Sequence, residues 1–146
     1  IDLAIDGADR IDHDRTAIKG GGAAHAREKV VDAAADRFVV VADPSKVVDT
    51  LSHPIPLEVL PDALAAVERT VTALDGTPTL RRAGAKDGPV VTDNGNLILD
   101  CAFGPVDDPE GMARALSDVP GVLEHGLFVD LVDAVYIGTD GGVEQL

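Results

Sequence analysis

Between Asp6 and Lys29 the chain places two aspartates in one loop, Asp6 and Asp9, then Lys19, a run of glycines, Gly20, Gly21 and Gly22, and a glutamate, Glu28. Together these residue types can move a proton on a carbon next to a carbonyl. A carboxylate can accept the proton, and an ammonium beside bare backbone amides can stabilise the oxyanion that forms. Glycines let the backbone approach a ligand closely. Asp6 and Asp9, with Gly7 and Ala8 between them, can accept hydrogen bonds from hydroxyls, and Asp6 can relay a proton. Glu28 is the candidate base, Lys19 the candidate electrophile.

Each residue also has a plainer reading. Two aspartates in a loop can cap their own backbone as an Asx turn. Lys19 can be a solvated strand end, and the glycines a tight turn. A helical glutamate between Arg27 and Lys29 most often faces water.

The elements around these residues are those that would bring them together. Ile1, Leu3 and Ile5 alternate with Asp2 and Ala4, which predicts a strand ending in the Asp6–Asp9 loop. Thr16 to Ile18 predicts a second short strand running into Lys19 and the glycines, and a helical pattern follows from Ala23 to Ala35. Strand, glycine loop and helix point amides and the positive end of a helix dipole at an anion. A sheet that delivers such loops side by side opens a crevice at its carboxyl edge. Glu28 falls about two turns into the helix.

Further along, Phe38 to Ala42 reads as a buried strand. Asp43-Pro44-Ser45-Lys46 begins a short helix through Leu51, capped by Asp43 or Ser45. Leu57 to Leu60 is a short extended segment, and Pro61 to Leu74 a helix with Leu64, Val67, Val71 and Leu74 on one face. Thr79 to Arg82 predicts a strand. Val90 to Thr92 and Leu97 to Cys101 predict a hairpin about the Asn94-Gly95 turn. Pro109 to Leu116 is a helix, Val122 to Phe128 a strand and Ala134 to Gly138 a strand returning to the first sheet, with a turn at Asp140 to Gly142. Arg81 and Arg82 read as a solvated strand or loop, and Cys101 as a small core residue. The order predicts an α/β chain. A Rossmann-like parallel-sheet domain covers residues 1–52 and 129–146, and a small ferredoxin-like α+β domain is inserted at 53–128.

Composition narrows the function classes. The net charge is −14, with only four lysines, Lys19, Lys29, Lys46 and Lys86. That argues against nonspecific nucleic-acid binding, which needs clustered cations. It suits an acidic surface adapted to high salt, where ions screen the self-repulsion. One cysteine excludes an internal disulfide and fits a reducing compartment. His13, His25, His53 and His125 show no metal-ligand spacing, so no metal is expected. Lys19 to Gly22 matches neither a dinucleotide fingerprint nor a P-loop, so no nucleotide cofactor is expected either. No apolar run reaches membrane-spanning length.

The segments Asp6-Gly7-Ala8-Asp9, Ile18-Lys19-Gly20-Gly21-Gly22-Ala23-Ala24 and Arg27-Glu28-Lys29 resemble the signature of type A ribose-5-phosphate isomerases. Val41 to Lys46, Pro56 to Val59, Val91 to Asn96 and Ile98 to Asp100 continue the resemblance, in order, over essentially the whole chain. It implies reversible isomerisation of ribose 5-phosphate and ribulose 5-phosphate through an enediol, in the pentose phosphate pathway, without a cofactor. It implies Glu28 as proton acceptor, Asp6 to Asp9 and Lys19 to Gly22 as substrate-binding segments, and Lys46 as a contact near the phosphate. It further implies a cytoplasmic homodimer or homotetramer. The family has a segment before the point where this chain begins, with a glycine-, serine- and threonine-rich loop. The chain is therefore expected to be a fragment, inactive alone. Arg10 stands where the family usually has an acidic residue, which leaves that position without a role. The competing expectation is a sugar-phosphate sensor of related fold, which would not need Glu28 and Lys19 together.

Overall fold

The computed structural model describes residues 1–85 and 87–146. In chain order the elements are β1 (Ala4–Asp6), β2 (Arg10–Ile11), β3 (Ala17–Ile18), α1 (His25–Ala33), β4 (Phe38–Ala42), β5 (Ile55–Val59), α2 (Leu64–Ala73), β6 (Thr77–Leu80), β7 (Leu97–Ala102), α3 (Pro109–Ser117), β8 (Val122–His125), β9 (Leu127–Phe128), β10 (Ala134–Thr139) and β11 (Gly142–Gln145). They form an α/β fold with parallel and antiparallel sheets.

In the first sheet, β4 lies between β1 and β10, all parallel, and β11 pairs antiparallel on the outside of β10. The β-branched run of β4 is what a central parallel strand requires. Register places Ala4 beside Phe38 and Asp6 beside Val40. Because side chains alternate, Ala4, Phe38, Asp6 and Val40 share one face. Phe38 and Val40 are buried there with Val135 and Phe128. The Ile1, Leu3, Ile5 stripe of the predicted strand is on the other face and exposed. The strand itself shortens to three residues. Asp6 is thus carried inward.

The second sheet is antiparallel, in the order β6, β7, β5, β8. Its core joins Ile55, Leu57, Val67, Val71, Leu99 and Leu116. Fully burying one such side chain contributes about 1.5–3 kcal/mol. Cys101 belongs to this core, and burial pushes its thiol up to about 12, so it is unreactive packing.

A small antiparallel sheet, β2, β3, β9, links the two. The predicted strand Val122 to Phe128 breaks at Gly126 to make this link. There the Lys19 N–H donates to Gly126 O at 2.8 Å. A Cβ on Gly126 would stand 2.1 Å from Lys19 O, so only glycine admits the approach.

Several expectations change for physical reasons. α1 starts at His25 rather than Ala23, because Ala23 completes the glycine turn at φ 61° with its N–H on Gly20 O. The helix expected to run through Leu51 is a single 3-10 turn, Pro44–Lys46, capped by Asp43 as expected. Val47 then turns extended and bridges Ile11, so β pairing outcompetes helix for two valines. The extended segment near Leu57 is a full, buried strand, β5. The predicted helix from Pro61 divides into a 3-10 turn, Pro61–Ala63, and α2. The predicted hairpin keeps its Gly95 turn at φ 81° but only one bridge, Val91 to Leu97; β7 pairs with β5 and β6 instead. β11 extends past the predicted terminal turn. Among the described residues no helix is long and apolar enough to cross a membrane.

Candidate active site

A pocket of about 230 Å³ opens where β1 and β3 end and α1 begins. Its lining is Asp6, Gly7, Ala8, Asp9, Lys19, Gly20, Gly21, Gly22 and Glu28. The structure therefore gathers every sequence-predicted site residue but Lys46, which sits at the end of the 3-10 turn after β4 and does not line this pocket.

Lys19 is the pivot. It is 2% exposed, and its ammonium lies 5.4 Å from the Phe38 ring centre and 5.3 Å from that of Phe128, close enough for cation–π attraction. It donates to Asp6 Oδ2 at 2.5 Å and to Gly7 O at 2.9 Å. Glu28 Oε2 stands 3.5 Å from the same nitrogen. Asp32, one turn further along α1 and unremarked in the sequence, lies 3.6 Å from it on the buried side. Burial raises the Asp32 pKa; Lys19 opposes that shift, and Asp6 and Glu28 add to it. The spacing Glu28–Asp32 was the available signal, since residues four apart share a helix face.

The glycine loop is held from two sides. Asp9 Oδ2 accepts from Gly21 N–H at 2.7 Å. One of the glycine amides expected to be free is therefore taken, and Asp9 acts on the loop rather than standing open to a ligand. From the second sheet, Arg81 Nη1 donates to Gly20 O at 2.8 Å and Gly21 O at 3.1 Å. The same guanidinium forks onto Asp100 at 2.8 and 2.5 Å. The expectation of a solvated Arg81 is thus corrected: strand register brings Asp100 beside β6 and fixes the fork. Gly20 sits at φ 112°, and a Cβ there would meet His25 Nδ1 at 2.7 Å. Burial pulls the His25 pKa down, so it packs as a neutral ring. Arg10 donates to Asp9 O at 2.5 Å, bracing the aspartate loop.

The phase of α1 decides where Glu28 points, and its two neighbours set it. Arg27 Nε donates to Asn94 Oδ1 at 2.9 Å, and Nη2 to Asp93 O at 3.1 Å. Lys29 donates to Glu124 Oε1 at 2.7 Å and to His125 O at 2.6 Å. Burial pulls the Lys29 pKa down, with Glu124 partly offsetting it. Burial also works against the Glu124 carboxylate, but Lys29 outweighs it and holds that pKa below its usual range. Arg27 thus reaches the turn before β7 and Lys29 reaches β8, and Glu28 is left facing Lys19. Chemically, the pocket offers a half-exposed carboxylate, a fixed ammonium and a braced amide loop within a few ångströms.

A family model described as ribose 5-phosphate isomerase A (phosphoriboisomerase A) matches residues 1–142. The chain is 62% identical over 143 residues to the ribose-5-phosphate isomerase A of Natronomonas pharaonis, covering 98% of this chain and 63% of that one. It is 56% identical over 146 residues to that of Methanosarcina acetivorans, covering 100% and 62%. A solved D-ribose-5-phosphate isomerase in complex with phospho-erythronic acid superposes with TM-score 0.96 at 44% identity, over 100% of this chain and 65% of that one. The ribose 5-phosphate isomerase A of Methanocaldococcus jannaschii gives 0.95 and 43%, with the same coverage. The chain spans less than two thirds of the length of these relatives.

Proposed function

The chain belongs to the ribose 5-phosphate isomerase A family, and on that premise we propose that it carries the catalytic pocket of an enzyme interconverting D-ribose 5-phosphate and D-ribulose 5-phosphate. The observation that carries the reading is the Glu28 carboxylate 3.5 Å from the Lys19 ammonium, in one pocket with Asp6 and the glycine loop. Glu28 takes the C2 proton of the open-chain aldose. The C2–H electron pair forms the C1–C2 double bond, and the carbonyl oxygen becomes an oxyanion held by Lys19 and the loop amides. Asp6 passes the hydroxyl proton from O2 to O1. Glu28 then returns its proton to C1, leaving the C2 ketone. A solved relative holds phospho-erythronic acid, which supports a phosphorylated sugar-like ligand here. Lys46, at the carboxyl end of β4, is the cation we assign to the phosphate. The reading extends to a cytoplasmic homodimer or homotetramer.

The same reading takes β1, β4 and β10 as a Rossmann-like domain of residues 1–52 and 129–146. The succession β5, α2, β6, β7, α3, β8 with sheet order β6, β7, β5, β8 supports a ferredoxin-like insertion at 53–128. The insertion has a task at the site, since it supplies Arg81.

A coupled assay for ribulose 5-phosphate, on this chain and on one extended at its N-terminus, tests the proposal. The extended chain is expected to turn over and this chain not. An extended chain that binds the sugar phosphate without converting it would favour a sensor. In the extended chain Arg81→Ala is expected to lower kcat/KM about tenfold with the fold retained, because a charge-assisted pair of loop contacts of about 1.5 kcal/mol is lost. Unchanged kinetics would remove Arg81 from the loop's support.

A further inference from the structure

Lysine has three N–H donors, and two of those on Lys19 are committed, to Asp6 and to Gly7 O. Two further carboxylates stand at ion-pair distance from the same ammonium and at nearly equal reach, Glu28 at 3.5 Å from the pocket side and Asp32 at 3.6 Å from behind. We propose that Asp32 is a positioning residue of the isomerisation: by drawing the Lys19 ammonium toward the buried side, it keeps the Glu28 carboxylate from being clamped by Lys19 and leaves it available to the substrate proton. The inference rests on the function proposed above.

Asp32 is suited to little else. It is 5% exposed, and its Oδ2 has no hydrogen-bond partner. A buried carboxylate is strongly unfavourable unless an opposite charge compensates it. The groups facing it are Lys19 at the end of β3, Asp6 at the end of β1 and Glu28 on its own helix. Its only attraction among these is the ammonium, so its place is held by Lys19. It does not line the pocket, so it acts through Lys19 and Glu28 and does not touch substrate. Burial raises its pKa, and as pH falls its charge is lost before that of an ordinary aspartate. Lys19 then turns wholly to Glu28 and Asp6, and turnover falls.

The test is Asp32→Asn in the N-terminally extended chain, with kcat, KM and the pH profile measured beside the parent. The expected result is a kcat about tenfold lower with KM within about twofold. The acid limb of kcat is expected to move to lower pH, because the Asp32 titration is gone. Asp32→Glu is expected to restore part of kcat. A residue needed only for folding would lower the melting temperature and leave the pH profile in place. If the Asn variant does not fold, Asp32→Ser is read in the same way. An active parent whose Asn or Ser variant keeps kcat and the acid limb overturns this inference alone. A parent without isomerase activity overturns the proposed function and this inference with it.

Discussion

Glu28→Gln in the extended chain is expected to reduce isomerase turnover by about a thousandfold or more, the range a single general base contributes, while sugar-phosphate binding stays within about twofold. The two observables separate because glutamine keeps the shape and one acceptor oxygen of the side chain and loses only the ability to hold a proton. Lys19 keeps Asp6 and Gly7 O as partners in the variant. The glycine loop keeps its braces from Asp9 and Arg81. The binding surface therefore survives, and the loss falls on kcat. A variant losing binding and turnover together would mean that Glu28 holds the loop rather than the proton.

Glu58→Ala is expected to lower stability by about 3–5 kcal/mol, from two buried donors left unpaired and the cavity that opens. At this chain length that is a drop of roughly 10 °C in Tm. Glu58 sits in the middle of β5 with no exposure. Its Oε1 accepts from Thr92 Oγ1 at 2.8 Å and from Asn94 Nδ2 and Asn96 Nδ2, each at 2.9 Å. Thr92 and Asn96 are themselves buried, so truncation strands their donors as well as opening a cavity. Glu58→Gln leaves an acceptor oxygen in place and is expected to lose only about 1–2 kcal/mol. Thermal melts of the three proteins in the same salt check both values. An alanine variant as stable as the parent would show that the turn does not depend on this carboxyl. The effect reaches the site, since Arg27 anchors α1 to Asn94 of this same turn.

The site was legible where it is local. Asp6, Asp9, Lys19, the glycines and Glu28 lie within one short stretch, and residue type and spacing indicate what they can do. What escaped was set by long-range pairing. Arg81 reads as a solvated arginine until the register of β6 on β7 places Asp100 beside it. Glu58 and the Asn94 turn are far apart in the chain, and the turn reads as a simple hairpin until Glu58 is seen inside it. Asp32 was within reach through helical spacing, yet an aspartate in an aspartate-rich chain gives no cue of its own. Val47 and Val48 read as helix because nothing local announces the bridge to Ile11.

The central claim is that Glu28, poised against Lys19, removes the C2 proton. Ribose 5-phosphate carrying deuterium at C2, followed by NMR with the parent and with Glu28→Gln, tests it at the first bond broken. The account predicts that the parent strips deuterium from C2, whether it reappears at C1 or in water, and that the glutamine variant binds the sugar yet leaves the label in place. A glutamine variant that clears C2 deuterium at the parent rate would contradict it.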